Sequence, residues 1–172
     1  MADVNKFAPI LKKLEGGFSN NPNDSGKATM MGITYNTYAF YCQLKGKKTP
    51  TVDELKNISD VEWTDILKTL YWDKWKADEI LNQSVANILA DFFFNSGNWG
   101  IKIPQELLNV TVDGIVGKGT INRLNTINQK EFFYAVKNAR TDFFNGIVAR
   151  NPSQKVFLNG WMNRINSFTF SD

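Results

Sequence analysis

Apolar residues along this 172-residue chain recur at helical spacing far more often than they alternate. Phe7, Ile10, Leu11 and Leu14 follow the i, i+3, i+4, i+7 rule of one helix face, and Gly16 then supplies a stop. Residues 18–33 break that rhythm. They are dense in Asn, Ser and Gly with only short alternation, which predicts a small β-hairpin or irregular wing. Thr34 is placed to cap a helix running to about Leu44 and ended near Gly46. Thr51 with Glu54, and Ser59 with Glu62, have the spacing of capping boxes, and the second opens a helix through Trp63, Ile66, Leu67 and Leu70. An apolar helix is predicted over residues 85–94, a short one over 105–109, and another capped by Thr120. Asn128 with Glu131 resembles a third capping box and starts the longest helix, to about Arg150. Asn151-Pro152-Ser153 breaks it, and a last helix carries Val156, Phe157, Trp161 and Ile165. The pattern predicts a mainly α fold: a helical bundle with a small β-hairpin wing after the first helix. The length allows one domain or two small lobes.

Composition sharpens this chiefly by what is missing. There is no histidine, which removes Ser-His-Asp and Cys-His nucleophiles and every His-ligated zinc site. The single cysteine, Cys42, allows no intramolecular disulfide and no structural zinc, and its apolar surroundings mark it as a small buried hydrophobe. Neither a GxxxxGK[ST] loop nor a GxGxxG is present. Carboxylate chemistry is the main chemistry left, with Lys or Tyr as lesser actors; no cofactor and no metal are expected. A net charge of +3 without a basic stripe excludes a nucleic-acid footprint and is compatible with an anionic polymer. No stretch approaches the length of a membrane span, and the first residues lack the basic and apolar regions of a signal peptide.

Glu15 is the carboxylate in the most suggestive place. It ends the first predicted helix, directly before Gly16-Gly17. The negative end of the helix macrodipole and any apolar wall would both raise its pKa above the ordinary glutamate value of about 4.3. A carboxyl held protonated near neutrality is what glycosidic leaving-group protonation needs. The two glycines leave the face beside it open. Asp24 sits in a polar turn where it should stay ionised, and Thr29 offers a hydroxyl that can hold a water. The same residues also read as a surface helix end followed by an Asx-turn.

The wording around them carries a resemblance. "ILKKLEGGFSNNPNDSGKATMMGIT" resembles the glycoside hydrolase family 108 N-acetylmuramidases, lysozyme-like enzymes of phages and bacteria, some described as secretion activator proteins. The residues that carry it are Glu15-Gly16-Gly17, Asn21-Pro22-Asn23-Asp24, Gly26, Ala28-Thr29 and Gly32-Ile33-Thr34, and it continues through "YWDKWKADEI", "DFFFNSG" and "FLNGWMNRI". The sequence departs from the pattern in two places. Lys27 stands where a second glycine is usual, and the Asp24-to-Thr29 interval is one residue shorter than in phage-type lysozymes. The resemblance implies a lysozyme-like α+β fold and an acid role for Glu15, with Asp24 and Thr29 as its catalytic companions.

In the second half, "VDGIVGKGT" contains Asp113-Gly114, Gly117 and Thr120, and looks like the D-G-x-x-G-x-x-T turn of peptidoglycan-binding helical modules. Its physical content is a tight turn: glycine permits positive φ, and Thr120 would cap the next helix. Direct glycan contact is the other reading. Asn95, Ser96 and Trp99 are substrate-binding candidates that equally well serve a helix end. Trp72 and Trp75 read as core. Asp91, in an apolar helix, requires a partner, with Arg140 and Arg164 both available. The resemblance implies a catalytic region over residues 1–87 and a helical peptidoglycan-binding region over 88–172. The implied function is a monomeric, endolysin-like peptidoglycan hydrolase that cuts the β-1,4 bond between N-acetylmuramic acid and N-acetylglucosamine. It would be made in the cytoplasm without a cleavable signal and would act on the wall or periplasm after release. A lytic transglycosylase, a non-catalytic wall-binding or secretion-accessory protein, and a chitinase-like specificity are the alternatives.

Overall fold

A computed structural model describes residues 1–20 and 28–172. The chain divides into two compact units, one of residues 4–70 and one of residues 1–3 with 71–172.

The first unit opens with α1 (Val4–Glu15), which starts earlier than the apolar spacing predicts and runs through Pro9. Its buried side is Val4, Phe7, Ala8 and Leu11, while Ile10 and Leu14 are only half-buried. Gly16 ends it at φ +73°, a left-handed conformation that glycine adopts without a steric penalty, and its N–H donates to the Lys12 carbonyl at 3.3 Å. The wing is a three-stranded antiparallel sheet in the order β1 (Phe18–Ser19), β2 (Thr29–Met30), β3 (Ile33–Thr34). Phe18 pairs with Met30, and Met30 with Ile33.

Thr34 caps α2 (Tyr35–Leu44) by accepting from the Thr37 N–H. Thr51 and Glu54 form a complete capping box on α3 (Val52–Lys56). The box expected at Ser59 is half made: Ser59 accepts from the Glu62 N–H, but the Glu62 carboxylate takes Lys47 Nζ at 2.6 Å instead of turning back. Ser59 opens α4 (Asp60–Leu67), which packs on α1, while α3 lies on β2 and α2 on β3. Trp63, Ile66, Leu55 and Ile33 are fully buried in this core together with Phe7 and Leu11. Cys42 is buried as a free thiol, as its apolar surroundings predict.

A π-helical turn over Lys68–Trp72 and two short 3-10 turns, Asp73–Trp75 and Ala77–Glu79, follow α4. Periodicity does not foresee them. Trp72 and Trp75 are fully buried, and Trp72 Nε1 donates to Asp78 at 2.7 Å, so both serve the core.

The second unit is built on α5 (Gln83–Ser96), longer at both ends than predicted. Every residue from Ser84 to Phe92 is buried, the mark of a helix enclosed on all sides. It packs on α6 (Trp99–Leu107) and α8 (Gln129–Arg150), and α8 packs on α9 (Lys155–Ser167). A Cβ on Gly100 would lie 2.4 Å from the Phe93 backbone nitrogen, so α5 and α6 meet at a position only glycine can occupy. In the chain, α7 (Lys118–Thr126) lies between α6 and α8. Residues 1–3 belong here because the Ala2 N–H donates to the Ile80 carbonyl at 2.8 Å and the Asp3 N–H to Gln83 Oε1 at 2.8 Å.

Asp91 uses both cations that the sequence offered. Its Oδ2 accepts from Arg140 at 2.9 Å and its Oδ1 from Arg164 at 2.7 Å, tying α5 to α8 and α9. Asp91 and Arg140 have no exposed side-chain surface. Arg140 also lies over the Phe92 ring at 5.0 Å, which supplies part of the neutralising environment a buried guanidinium requires.

Candidate active site

Glu15 stands on the last residue of α1, half-buried, with the wing turned back beside it. The turn between β2 and β3 is Met31-Gly32, two residues at φ +46° and +80°. A two-residue hairpin loop with both φ values positive matches the twist of its strands. The Met31 N–H donates to the Gly17 carbonyl at 3.2 Å, which fastens this turn to the chain just after Glu15. The consequence falls on the carboxyl. A Cβ added to Gly32 would lie 2.7 Å from Glu15 Cγ and 2.9 Å from both Cδ and Oε2. The acid therefore rests on the bare face of a glycine. Sequence reading placed Gly32 in a motif but missed this contact.

Thr29 lies on the middle strand of the same sheet, opposite Ser19 on one side and Thr34 on the other. It is half-exposed. Asp24 lies outside the described residues. Asn95 and Ser96 end α5 in the second unit, where Asn95 Oδ1 and Ser96 Oγ are buried without a hydrogen-bond partner among the described residues. Trp99 opens α6 and is 57% exposed, with Lys102 Nζ 5.9 Å from its ring centre. Residues 95–99 are thus helix ends as well as candidates. The helix predicted over 105–109 begins at Trp99 instead, because Gly100 lets it close directly onto α5.

Two other carboxylates of the first unit border a cleft of about 580 Å³, Glu54 and Glu62. Both are paired, with Lys48 at 3.2 Å and Lys47 at 2.6 Å, and Glu54 also closes its capping box. Burial pushes the Tyr38 hydroxyl in that cleft up to about 12 and raises the Cys42 thiol, so neither is a nucleophile near neutral pH.

Residues 8–97 match the family model described as glycosyl hydrolase 108, which covers the wing and Glu15. The chain belongs to the glycosyl hydrolase 108 family. Residues 99–166 of this family member match a predicted peptidoglycan domain. Among solved structures, the chain is similar to SagA of Brucella abortus, with 27% identity, a TM-score of 0.76, and coverage of 95% of this chain and 89% of that one. No curated protein matches it. The mainly α, lysozyme-like fold is the one the resemblance implied. The glycosyl hydrolase 108 match runs past the packing boundary after residue 70, whereas the peptidoglycan match lies wholly in the second unit.

Within that second region the D-G-x-x-G-x-x-T motif is a built turn. The Asp113 carboxylate accepts from the Ile115 N–H at 2.9 Å and from Gln105 Nε2 at 3.0 Å. Gln105 is fully buried and also accepts from the Gly114 N–H at 2.9 Å. Sequence reading missed Gln105, whose only signal was a polar residue in an apolar helix. Thr120 does not cap the next helix. Gly117 is the cap of α7, and Thr120 lies inside the first turn, nearly buried. Gly114 has φ +75°, so Gly114→Val should destabilise the protein by about 1–3 kcal/mol. Calorimetric unfolding checks this, and a wild-type melting temperature would remove the turn's structural role.

Proposed function

We propose that this protein hydrolyses peptidoglycan at the β-1,4 bond between N-acetylmuramic acid and N-acetylglucosamine, with Glu15 as the general acid. The observation that carries the reading is the Glu15 carboxyl at the end of α1, resting on Gly32, inside the region matched by the glycosyl hydrolase 108 model. Protonation of the bridging oxygen by Glu15 lets the C–O bond break, and positive charge develops on the muramoyl ring. A water, or a nucleophile from the muramoyl unit itself, meets that centre. Asp24 steers the water or stabilises the charge, and Thr29 holds the water. The match to a predicted peptidoglycan domain supports retention on the wall, and Asn95, Ser96 and Trp99 are the proposed glycan contacts of the second unit. Among the described residues no helix is long and apolar enough to cross a membrane. The protein acts as a monomer, in an endolysin-like role, after release from the cytoplasm to the wall.

Digestion of purified sacculi, followed by analysis of the new chain ends, tests the bond. Reducing N-acetylmuramic acid is expected. Reducing N-acetylglucosamine ends would move the cut to the other linkage, 1,6-anhydro ends would make the protein a transglycosylase, and sacculus binding without cleavage would make it a wall-binding accessory.

A further inference from the structure

A cleft of about 470 Å³ beside the Asp113 turn is lined by none of the residues proposed for the chemistry. It is bordered by Val110, Asp113, Ile115, Gly117, Gly119 and Thr120, among others. Gly117 caps α7 without a side chain, so the first-turn N–H groups of Lys118, Gly119 and Thr120 receive no side-chain acceptor. Ile121 is the first residue of that helix to donate to a carbonyl, that of Gly117 at 3.2 Å. Thr120 borders the cleft and is only 6% exposed, and its hydroxyl makes no hydrogen bond to another described residue. That hydroxyl is not sealed off from water, so a ligand in the cleft would take the place of solvent on it. The cleft therefore presents a cluster of donors at a helix N-terminus.

Asp113 decides which class of ligand fits. The Ile115 N–H and Gln105 hold its carboxyl below the usual range, so it is ionised at neutral pH. Both bonds go to Oδ1, leaving acceptor capacity at Oδ2. A second anion in the cleft would meet a like charge. A neutral group with an acceptor and a donor would use both kinds of partner. Ile115, 70% exposed, and Val110 add apolar surface. A secondary acetamide has a carbonyl, an N–H and a methyl, one for each feature.

We infer that this cleft seats the N-acetyl group of an amino sugar. Its carbonyl accepts from the first turn of α7 and from Thr120 Oγ1, its N–H donates to Asp113, and its methyl lies against Ile115. The inference rests on the wall-glycan reading, since that polymer repeats an acetamide on each sugar.

Gly119→Leu is the informative variant. A Cβ there meets open space, and leucine is a better helix former than glycine, so the fold is kept while the cleft is filled. In a Glu15→Gln background, which spares the polymer, binding to purified sacculi and to N-acetylglucosamine oligomers should weaken about tenfold or more with Gly119→Leu. The amide resonances of residues 117–120 should shift on adding N-acetylglucosamine oligomers and stay in place with glucosamine oligomers. Unchanged binding by Gly119→Leu, or equal affinity for the two oligomers, overturns the cleft assignment. Cleavage of the same sacculi by the unmutated chain reports on the hydrolase reading separately. Intact cleavage with binding indifferent to residue 119 overturns the cleft alone; absence of both cleavage and binding overturns both readings.

Discussion

Glu15→Gln is expected to leave the fold intact and to reduce peptidoglycan cleavage by about 10²- to 10⁴-fold, the usual contribution of a positioned general acid. The two side chains are nearly isosteric, and Glu15 is half-buried at the end of α1, so the amide can keep the same place over Gly32. What it cannot do is give up a proton to the bridging oxygen. No histidine anywhere in the chain offers a substitute acid titrating near neutrality. Release of soluble muropeptides, measured beside a thermal melt of each protein, separates chemistry from stability. Turnover near the unmutated rate in a folded Glu15→Gln protein would remove Glu15 from the mechanism.

Gly32→Ala should be nearly as damaging, for a geometric reason. The new methyl would sit 2.7 Å from Glu15 Cγ and 2.9 Å from Oε2. These atoms belong to the end of a flexible side chain, so the clash is relieved by moving the carboxyl and not by opening the fold. Displacement of a catalytic group by about 1 Å can cost about 100-fold in rate. Gly32 also has φ +80°, and alanine there carries a backbone cost of about 1–2 kcal/mol. Gly46→Ala separates the two effects: Gly46 has φ +67° but open space where the methyl would go. Both variants should lose similar stability, and only Gly32→Ala should lose most of its cleavage rate. Equal activity in the two would show that the Glu15–Gly32 contact does not position the acid.

Gly32 also marks where sequence reading ends. Its place in a Gly-Ile-Thr run was visible, and a turn there was predictable. That the turn folds back onto Glu15 was not, because the contact depends on the whole wing closing against the end of α1. Asp91 is a similar case. An ionisable residue in an apolar helix announces that a cation must be near, but Arg140 lies 49 residues away and Arg164 lies 73 away. Nothing local distinguishes a single pair from the three-residue tie that forms. Gln105 was less legible still. It is a polar residue on a buried helix face, and its role became clear only when the Asp113–Ile115 turn was seen to hang from its amide.

By itself the sequence determined most helix starts and stops, because a cap is settled within a few residues: Thr34, Thr51 and Asn128 each accept from an N–H three positions on, and Gly16 ends α1 by its own positive φ. It also determined the available chemistry, since a chain without histidine and with one buried cysteine is left chiefly with carboxylates. Tertiary structure decided the rest. It sent Glu62 to Lys47 and left the Ser59 box half closed, set Gly100 against the backbone of α5 so that α6 begins at Trp99, and placed Thr120 inside α7 instead of before it. Each of these depends on which tertiary partner competes best for a hydrogen bond or a volume in the folded state, and local preference is too weak to resist that competition.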